Sequence, residues 1–104
     1  MSDKKLRVTI ELIAWATVFV GGDGSDRKVF QEEAIPGETI RDVLKKLSKK
    51  HRELDRALWD RGSDNLSEHL EIAVNDALLG IHHTLDSKVK DGDILILMGQ
   101  YMGG

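Results

Sequence analysis

The sequence predicts a small α+β domain in which a sheet packs on one main helix, and three segments carry this prediction. Apolar and polar residues alternate over residues 6–12, which is typical of a strand with one buried face. Apolar residues recur at the spacing of one helical face over residues 40–47, so that helix packs on a core. Residues 94–98 are uniformly apolar, and their length and isoleucine content favour a central strand buried on both faces.

Between the first strand and the main helix, the sequence indicates a loop and a second strand. Residues 13–20 are apolar without regular alternation, and they end in a glycine-rich loop at 21–26. A short strand at 27–32 follows. The helix begins after Thr39, whose side-chain oxygen can cap it, and Asp42 places a negative charge in the first turn.

After the main helix, the pattern predicts two more strands. Helical character continues with a break through residues 54–59, and alternation over residues 70–74 indicates the third strand. Asn75-Asp76 forms a turn pair, and residues 90–93 turn the chain before the last strand. The predicted order is therefore strand, strand, helix, strand, strand in one domain.

Composition excludes several classes of function. The chain has 104 residues, 40% of them hydrophobic, so it has no room for a large cleft between two lobes. The absence of cysteine excludes disulfides, thiolate metal sites and cysteine nucleophiles. A net charge of −3 argues against nucleic-acid binding, which needs a basic face.

The sequence also predicts a cytoplasmic protein with no membrane partner. We find no export signal at the N-terminus, and the absence of cysteine is compatible with a reducing compartment. The longest apolar stretch, residues 12–20, falls well short of the roughly 20 residues that span a bilayer.

Residues that could suggest catalysis or metal binding have simpler explanations. Adjacent His82 and His83 point to opposite sides of an extended chain and have no cysteine to support them, so we expect no metal site. The paired carboxylates Glu32 and Glu33 lie beside no nucleophile, so we assign them no hydrolytic role.

Two groups of side chains could suggest a recognition surface. The lysines and arginine within residues 45–52 are better explained as the solvated side of the helix. Trp15 and Phe19 could form an exposed patch, but large aromatic residues more often belong to the core, and we favour the core here.

The segments near the C-terminus occur in an order known from a protein family. A Val-Asn-Asp turn at 74–76 follows the third strand, a Lys-Asp-Gly-Asp turn at 90–93 precedes the last strand, and Gly-Gly occupies 103–104. Together with the strand order, this resembles the MoaD/ThiS sulfur carriers over essentially the whole chain. The resemblance implies a ubiquitin-like β-grasp domain at residues 1–98, with a mixed sheet packed on one main helix, and a flexible C-terminal tail at residues 99–104.

The chemistry of such a carrier belongs to Gly104. A free carboxylate is a poor electrophile, so ATP must first activate it as an acyl-adenylate; sulfide or an enzyme persulfide can then displace AMP. The product is a thiocarboxylate, which needs no cysteine in the carrier. Glycine has no Cβ, so it can enter a narrow channel in a partner. The tail residues that we expect to contact the partner are Gly99, Gln100, Tyr101, Met102 and Gly103.

Some details of the tail remain open at this stage. Tyr101 and Met102 either dock in the activating enzyme, which we favour, or fold back on the sheet edge. Gly99 is expected to make the tail more flexible. If Gly104 is the natural terminus, no protease is needed to expose its carboxylate.

The resemblance implies a non-enzymatic protein that binds no cofactor itself. Its partners would be a ubiquitin-activating-like adenylating enzyme that uses ATP, a sulfurtransferase and a sulfur-accepting synthase. Prolines that often precede the terminal glycines in molybdopterin carriers are absent here, and Asp76 follows Asn75 where glycine is frequent. The receiving pathway therefore stays open among molybdopterin, thiamine thiazole, amino-acid biosynthesis and tRNA thiolation.

Two alternatives belong to other functional classes. A ubiquitin-like modifier would use the same activation step and then attach Gly104 to lysines of target proteins. A plain binding module would end in a diglycine by accident, and it would keep its full activity without the tail.

Overall fold

The structure, a computed structural model, describes residues 4–99, which form a mixed five-stranded sheet with helices packed on one face. The strands are β1 (Leu6–Ile13), β2 (Arg27–Ala34), β3 (Leu70–Val74), β4 (Ala77–Leu78) and β5 (Ile94–Gly99). The α-helices are α1 (Ile40–Ser48) and α2 (Arg52–Leu58), and 3-10 helices occupy Ala14–Val20 and Asp60–Gly62.

The sheet has the strand order β2-β1-β5-β3-β4, so β5 lies at its centre as the sequence predicts. β5 runs parallel to β1 and antiparallel to β3, whereas β1 and β2 form an antiparallel pair. The strand β4 was not predicted, because two residues are too short to show alternation.

The main helix begins as the sequence predicts. The Thr39 hydroxyl accepts a hydrogen bond from the Asp42 backbone N–H at 3.2 Å, and the Asp42 carboxylate accepts one from the Thr39 N–H at 2.9 Å. This reciprocal pair is a capping box, which satisfies two backbone donors that a helix start leaves free. The predicted break is also present, because α1 ends at Ser48 and α2 begins at Arg52.

One hydrophobic core lies between the sheet and the helices. The apolar stripe of α1 is fully inside it, and so are the alternate residues of β1 that face the helices. Leu95 and Leu97 of β5 have no exposed surface. These core residues of the helix and the first strand are Val8, Ile10, Leu12, Ile40, Val43, Leu44 and Leu47.

The prediction that β5 is buried on both faces is wrong. Ile94, which points to the opposite face from Leu95, is 40% exposed, and Ile96 and Met98 are only partly buried. The physical reason is the layer arrangement: within residues 4–99, the helices pack on the face of the sheet that carries Leu95 and Leu97, and no second layer covers the opposite face. A central strand of this sheet can therefore be uniformly apolar without being covered on both sides.

The conformation of the segment between β1 and β2 departs most from the prediction. Ala14 takes a left-handed backbone conformation with φ of 52°, which ends β1, and a 3-10 helix follows. Phe19 packs against the core as expected. The prediction of a core position is wrong for Trp15, whose surface is 49% exposed.

The basic run within residues 45–52 faces solvent as predicted, since none of its lysine or arginine side chains is buried, although three of them also contact neighbouring side chains. Lys45 lies over the Trp59 ring, 4.1 Å from its centroid, and Lys46 pairs with Glu38 at 2.5 Å. Lys50 is exposed, but its Nζ atom lies 2.8 Å from the buried carboxylate of Glu32. These three contacts, one with an aromatic ring and two with carboxylates, engage positive charges for which the sequence pattern predicted no partner.

Candidate functional site at the end of the central strand

The residues predicted to carry the chemistry lie mostly outside the described part of the chain. Gly104 is outside it, and so are the four residues before it, Gln100, Tyr101, Met102 and Gly103. Gly99, which the sequence analysis placed first in the tail, is the last residue of β5. The described part of the candidate site is therefore β5 and the residues that hold its two ends.

The start of β5 is held by a buried carboxylate. Asp93 is 8% exposed, and its two oxygens accept hydrogen bonds from the Asn75 side-chain amide and from the Lys90 backbone N–H, each at 2.8 Å. The Asn75 side-chain oxygen in turn accepts from the Ile94 N–H at 2.9 Å. The two turns that carry the family resemblance therefore bind each other, which their separation in the sequence does not reveal.

The backbone completes this anchor. Asn75 donates its N–H to the Ile94 carbonyl at 2.9 Å, and Thr9 donates to the Asp93 carbonyl at 2.9 Å. Asn75 and Asp76 both have positive φ, at 48° and 78°, a conformation that asparagine and aspartate tolerate better than other non-glycine residues. The departure from Asn-Gly noted in the sequence therefore leaves the turn intact.

Near its C-terminal end, β5 passes the ends of both neighbouring strands within two residues. On one side, the ladder with β1 ends where Leu12 faces Leu97, because the chain turns away at Ala14. On the other side, the first residue of β3, Leu70, faces Gly99. The paired part of the central strand thus ends five residues before Gly104.

An aromatic side chain lies beside this end point. A Cβ built on Gly99 would lie 3.2 Å from Trp15 Cζ3 and 3.3 Å from Trp15 Cδ2, and closer still to Cε3. The ring of Trp15 also meets that of Phe19 edge to face, with 5.1 Å between centroids. Sequence reasoning assigned Gly99 to flexibility, but the structure gives it a packing reason: a side chain there would collide with the indole.

Some titratable groups away from β5 form structural pairs, and none of the described groups forms a metal site. Across residues 4–99, no three histidine or acidic side chains come close enough together to hold a metal ion. His82 and His83 lie in the loop after β4, but the expected solvated pair holds only for His82: His83 is half-buried, and its buried Nδ1 atom has no hydrogen-bond partner among the described residues. The Lys46 ammonium, which hydrogen-bonds Glu38, holds the pKa of that carboxyl below its usual value, and the Ile35 backbone N–H adds to the effect.

Within the described range, no helix has the length and apolar character needed to cross a membrane.

The sequence itself matches no protein-family model and has no significant match among curated proteins. Solved structures do resemble it. Small archaeal modifier protein 1 of Methanosarcina acetivorans superposes with a TM-score of 0.73 and 21% identity, over 97% of this chain and 99% of that one.

Two further structures have the same fold. CysO in the BexX/CysO complex of Amycolatopsis orientalis gives a TM-score of 0.65 and 24% identity, covering 93% of this chain and 99% of that chain. A Pyrococcus furiosus protein, provisionally assigned as molybdopterin converting factor subunit 1, gives 0.65 and 22%, with coverages of 90% and 97%. The described chain therefore has the ubiquitin-like β-grasp fold, which it shares with these three proteins.

Proposed function

We propose that this chain is a sulfur carrier in which Gly104 is adenylated by an activating enzyme and then converted to a thiocarboxylate. The observation that carries the proposal is the position of the diglycine: Gly103 and Gly104 follow the paired end of the central β-grasp strand within five residues. The Pyrococcus furiosus neighbour, provisionally assigned as a molybdopterin converting factor subunit, supports a role in sulfur transfer.

The fold suits a carrier because a rigid domain fixes the end of β5, and only five residues separate that end from the reactive Gly104. β5 is paired on both sides and anchored at its start by Asp93, so its end has a fixed place on the domain. Five residues beyond Gly99 span at most about 17 Å when fully extended. A partner could therefore bind the folded domain at one surface and receive Gly104 in an active site no deeper than that distance.

The proposed reaction proceeds in two steps. A carboxylate oxygen of Gly104 attacks the α-phosphorus of ATP, and pyrophosphate leaves, which gives an acyl-adenylate. Sulfide then attacks the acyl carbon, the bond to the AMP oxygen breaks, and loss of a proton leaves the ionised thiocarboxylate. If a persulfide attacks instead, an acyl disulfide forms. A second thiol then attacks the sulfur that carried the persulfide, the bond between the two sulfur atoms breaks, and the thiocarboxylate leaves as the two thiols form a disulfide. The chain contains no cysteine, so every thiol in this scheme belongs to a partner.

In this scheme the chain is a carrier, or a small non-catalytic subunit, rather than an enzyme. The adenylating enzyme binds the ATP, a sulfurtransferase supplies the sulfur, and a synthase consumes it. The presence of CysO in a complex with BexX supports recognition of such a domain by a larger partner. We expect this chemistry in the cytoplasm, where ATP and reduced sulfur are both available.

Mass spectrometry of the intact protein tests the proposal directly. The chain is incubated with ATP, a sulfide donor and each ubiquitin-activating-like enzyme of its source organism. The expected product is heavier by the difference between one sulfur and one oxygen atom, and the extra mass maps to the C-terminal peptide. The control variant lacks Gly103 and Gly104 and should stay unmodified while unfolding at the same temperature as the full chain. No gain with any of these enzymes, or the same gain in the truncated variant, would contradict the proposal.

A protein modifier is the second candidate, and the likeness to small archaeal modifier protein 1 favours it. The last basic residue before the diglycine is Lys90, so trypsin would leave residues 91–104 on a modified lysine. Cyanogen bromide, which cleaves after methionine, would instead leave Gly103-Gly104 after cutting at Met102. Diglycine-modified lysines in such a digest, present only when the full chain is expressed, would support a modifier.

A further inference from the structure

The exposure of Trp15 is not explained by the core. Large aromatic side chains usually bury most of their surface, yet nearly half of this indole, 49%, faces solvent. The buried part of the ring lies against the backbone of Gly99. Trp15 therefore covers Gly99, the last residue of the central strand β5.

The side of β5 on which the indole lies follows from strand geometry. Side chains two residues apart point to the same face of a strand, so Gly99 shares its face with Leu97 and Leu95. Both leucines are fully buried toward the helices. The Cβ position of Gly99 therefore points toward the helix layer, and the ring of Trp15 fills that position.

The segment that carries Trp15 is fixed in place by hydrogen bonds. The buried Thr17 hydroxyl donates to the Ala14 carbonyl at 2.7 Å and accepts from the Gly24 N–H at 3.1 Å. The Ala14 N–H donates to the Asp26 carbonyl at 3.0 Å. These bonds hold the turn at Ala14 and the first turn of the 3-10 helix, so the indole stands on a rigid support.

We propose that Trp15 is a positioning residue for the C-terminal tail, an inference that rests on the proposed function. Its indole occupies the helix side of β5 at Gly99 and so fixes the position from which Gly104 must reach the partner that modifies it. Glycine at 99 is required because any side chain would displace the ring. In this role Trp15 acts through Gly99, and it is not one of the groups that react.

This role predicts a specific kinetic signature. The partner's affinity for the domain depends on the docking surface, whereas the rate of adenylation depends on how often Gly104 reaches the active site. Loss of the indole should therefore lower kcat with little change in KM. Misplacement of a reacting group by about 1 Å can cost up to about a hundredfold in rate, so we expect Trp15→Ala to lower kcat about tenfold or more.

Four variants and one control test the proposal with the activating enzyme and ATP, using adenylation rates of the full chain: Trp15→Ala, Trp15→Phe, Gly99→Ala and the double variant of Trp15→Ala with Gly99→Ala. Trp15→Phe keeps an aromatic ring and should recover most of kcat, whereas Gly99→Ala should lower kcat as Trp15→Ala does. The double variant should be no slower than Trp15→Ala alone, because the added methyl group then meets no ring. The control is Val18→Ala in the same 3-10 helix; Val18 is 39% exposed and lies near Gly24 rather than Gly99, and its kcat should stay unchanged.

A second measurement tests the geometry without any enzyme. The chain has only two tryptophans, so the indole N–H signals of Trp15 and Trp59 can be assigned in an NMR spectrum. Gly99→Ala should shift the Trp15 signal and leave that of the buried Trp59 in place. An unchanged Trp15 signal would overturn the proposed packing.

The kinetic outcomes separate this proposal from the proposed function. If the wild-type chain is never adenylated, the proposed function fails. If it is adenylated but Trp15→Ala has normal kcat, the positioning role alone fails. A rise in KM with kcat unchanged would make Trp15 a partner contact, and an equal loss in Val18→Ala would assign the effect to the whole segment; either result would overturn the inference.

Discussion

Replacement of Asp93 by alanine should destabilise the domain more than any other change in the loop before β5. Both carboxylate oxygens of Asp93 accept hydrogen bonds, one from the Asn75 side chain and one from the Lys90 backbone, and the residue is buried. Asp93→Ala removes both acceptors and leaves two donors without a partner. The substitution therefore tests whether the contact between the two motif turns holds the start of the central strand.

The magnitude follows from the hydrogen bonds lost. A hydrogen bond to a charged group contributes about 1.5–3 kcal/mol, and contributions from bonds to one group are not fully additive. We therefore expect Asp93→Ala to lower the free energy of unfolding by about 3 kcal/mol. In a domain of about this size, each kcal/mol lowers the melting temperature by roughly 4–8 °C, so the expected fall is roughly 12–24 °C.

The assay is urea unfolding followed by circular dichroism, and the matched control is Asp91→Ala. Asp91 lies in the same turn, but it is exposed and accepts one hydrogen bond, from the Arg7 N–H at 2.8 Å. Water can replace that acceptor, so the control should lose less than about 1 kcal/mol. Equal losses in the two variants would refute the reasoning, because burial of the carboxylate would then make no difference.

Two further predictions concern groups away from β5. Ser48→Ala should lower the free energy of unfolding by about 1–3 kcal/mol, because the buried Trp59 indole N–H donates to the Ser48 hydroxyl at 3.0 Å and would lose its acceptor. Urea unfolding measures this loss. The control Ser63→Ala should lose less, because the Ser63 hydroxyl accepts its hydrogen bond in an exposed loop. Glu38 has a lowered pKa in the folded chain, chiefly through Lys46, so its charge stabilises the fold above its unfolded pKa and this contribution disappears as pH falls through the folded pKa. The stability difference between wild type and Glu38→Gln, only a few tenths of a kcal/mol for a partly exposed pair, should vanish in urea titrations below that pH. A difference that grew in acid would contradict the assignment.

Local patterns in the sequence were sufficient for the elements that depend on a single periodicity. The alternation in β1 and the helical stripe of α1 each describe one buried face, and both elements are confirmed. The capping box of Thr39 and Asp42 was also predictable, because both partners lie within one turn of the chain.

Contacts between distant segments could not be predicted in the same way. No pattern within residues 13–20 indicates that Ala14 adopts a positive φ, and this one backbone angle places Trp15 over Gly99. The same holds for Lys45, whose position over the Trp59 ring depends on how α2 returns beside α1. Periodicity reports which face of an element is apolar, and it contains no information about which other element covers that face.

The structure also explains why the family resemblance indicates the fold more firmly than the pathway. The two turns that carry it meet at the start of β5, where Asn75 and Asp93 fix the register of the central strand. The proposed chemistry belongs to the opposite end, beyond Gly99. A partner that consumes the sulfur would have to reach Gly104 from that opposite end, and neither Trp15 nor Gly99 takes part in the Asn75–Asp93 contact. Residues that fix the register of the central strand and residues that would position Gly104 for a partner thus lie at opposite ends of one strand, so the motif turns indicate the fold and not the partner.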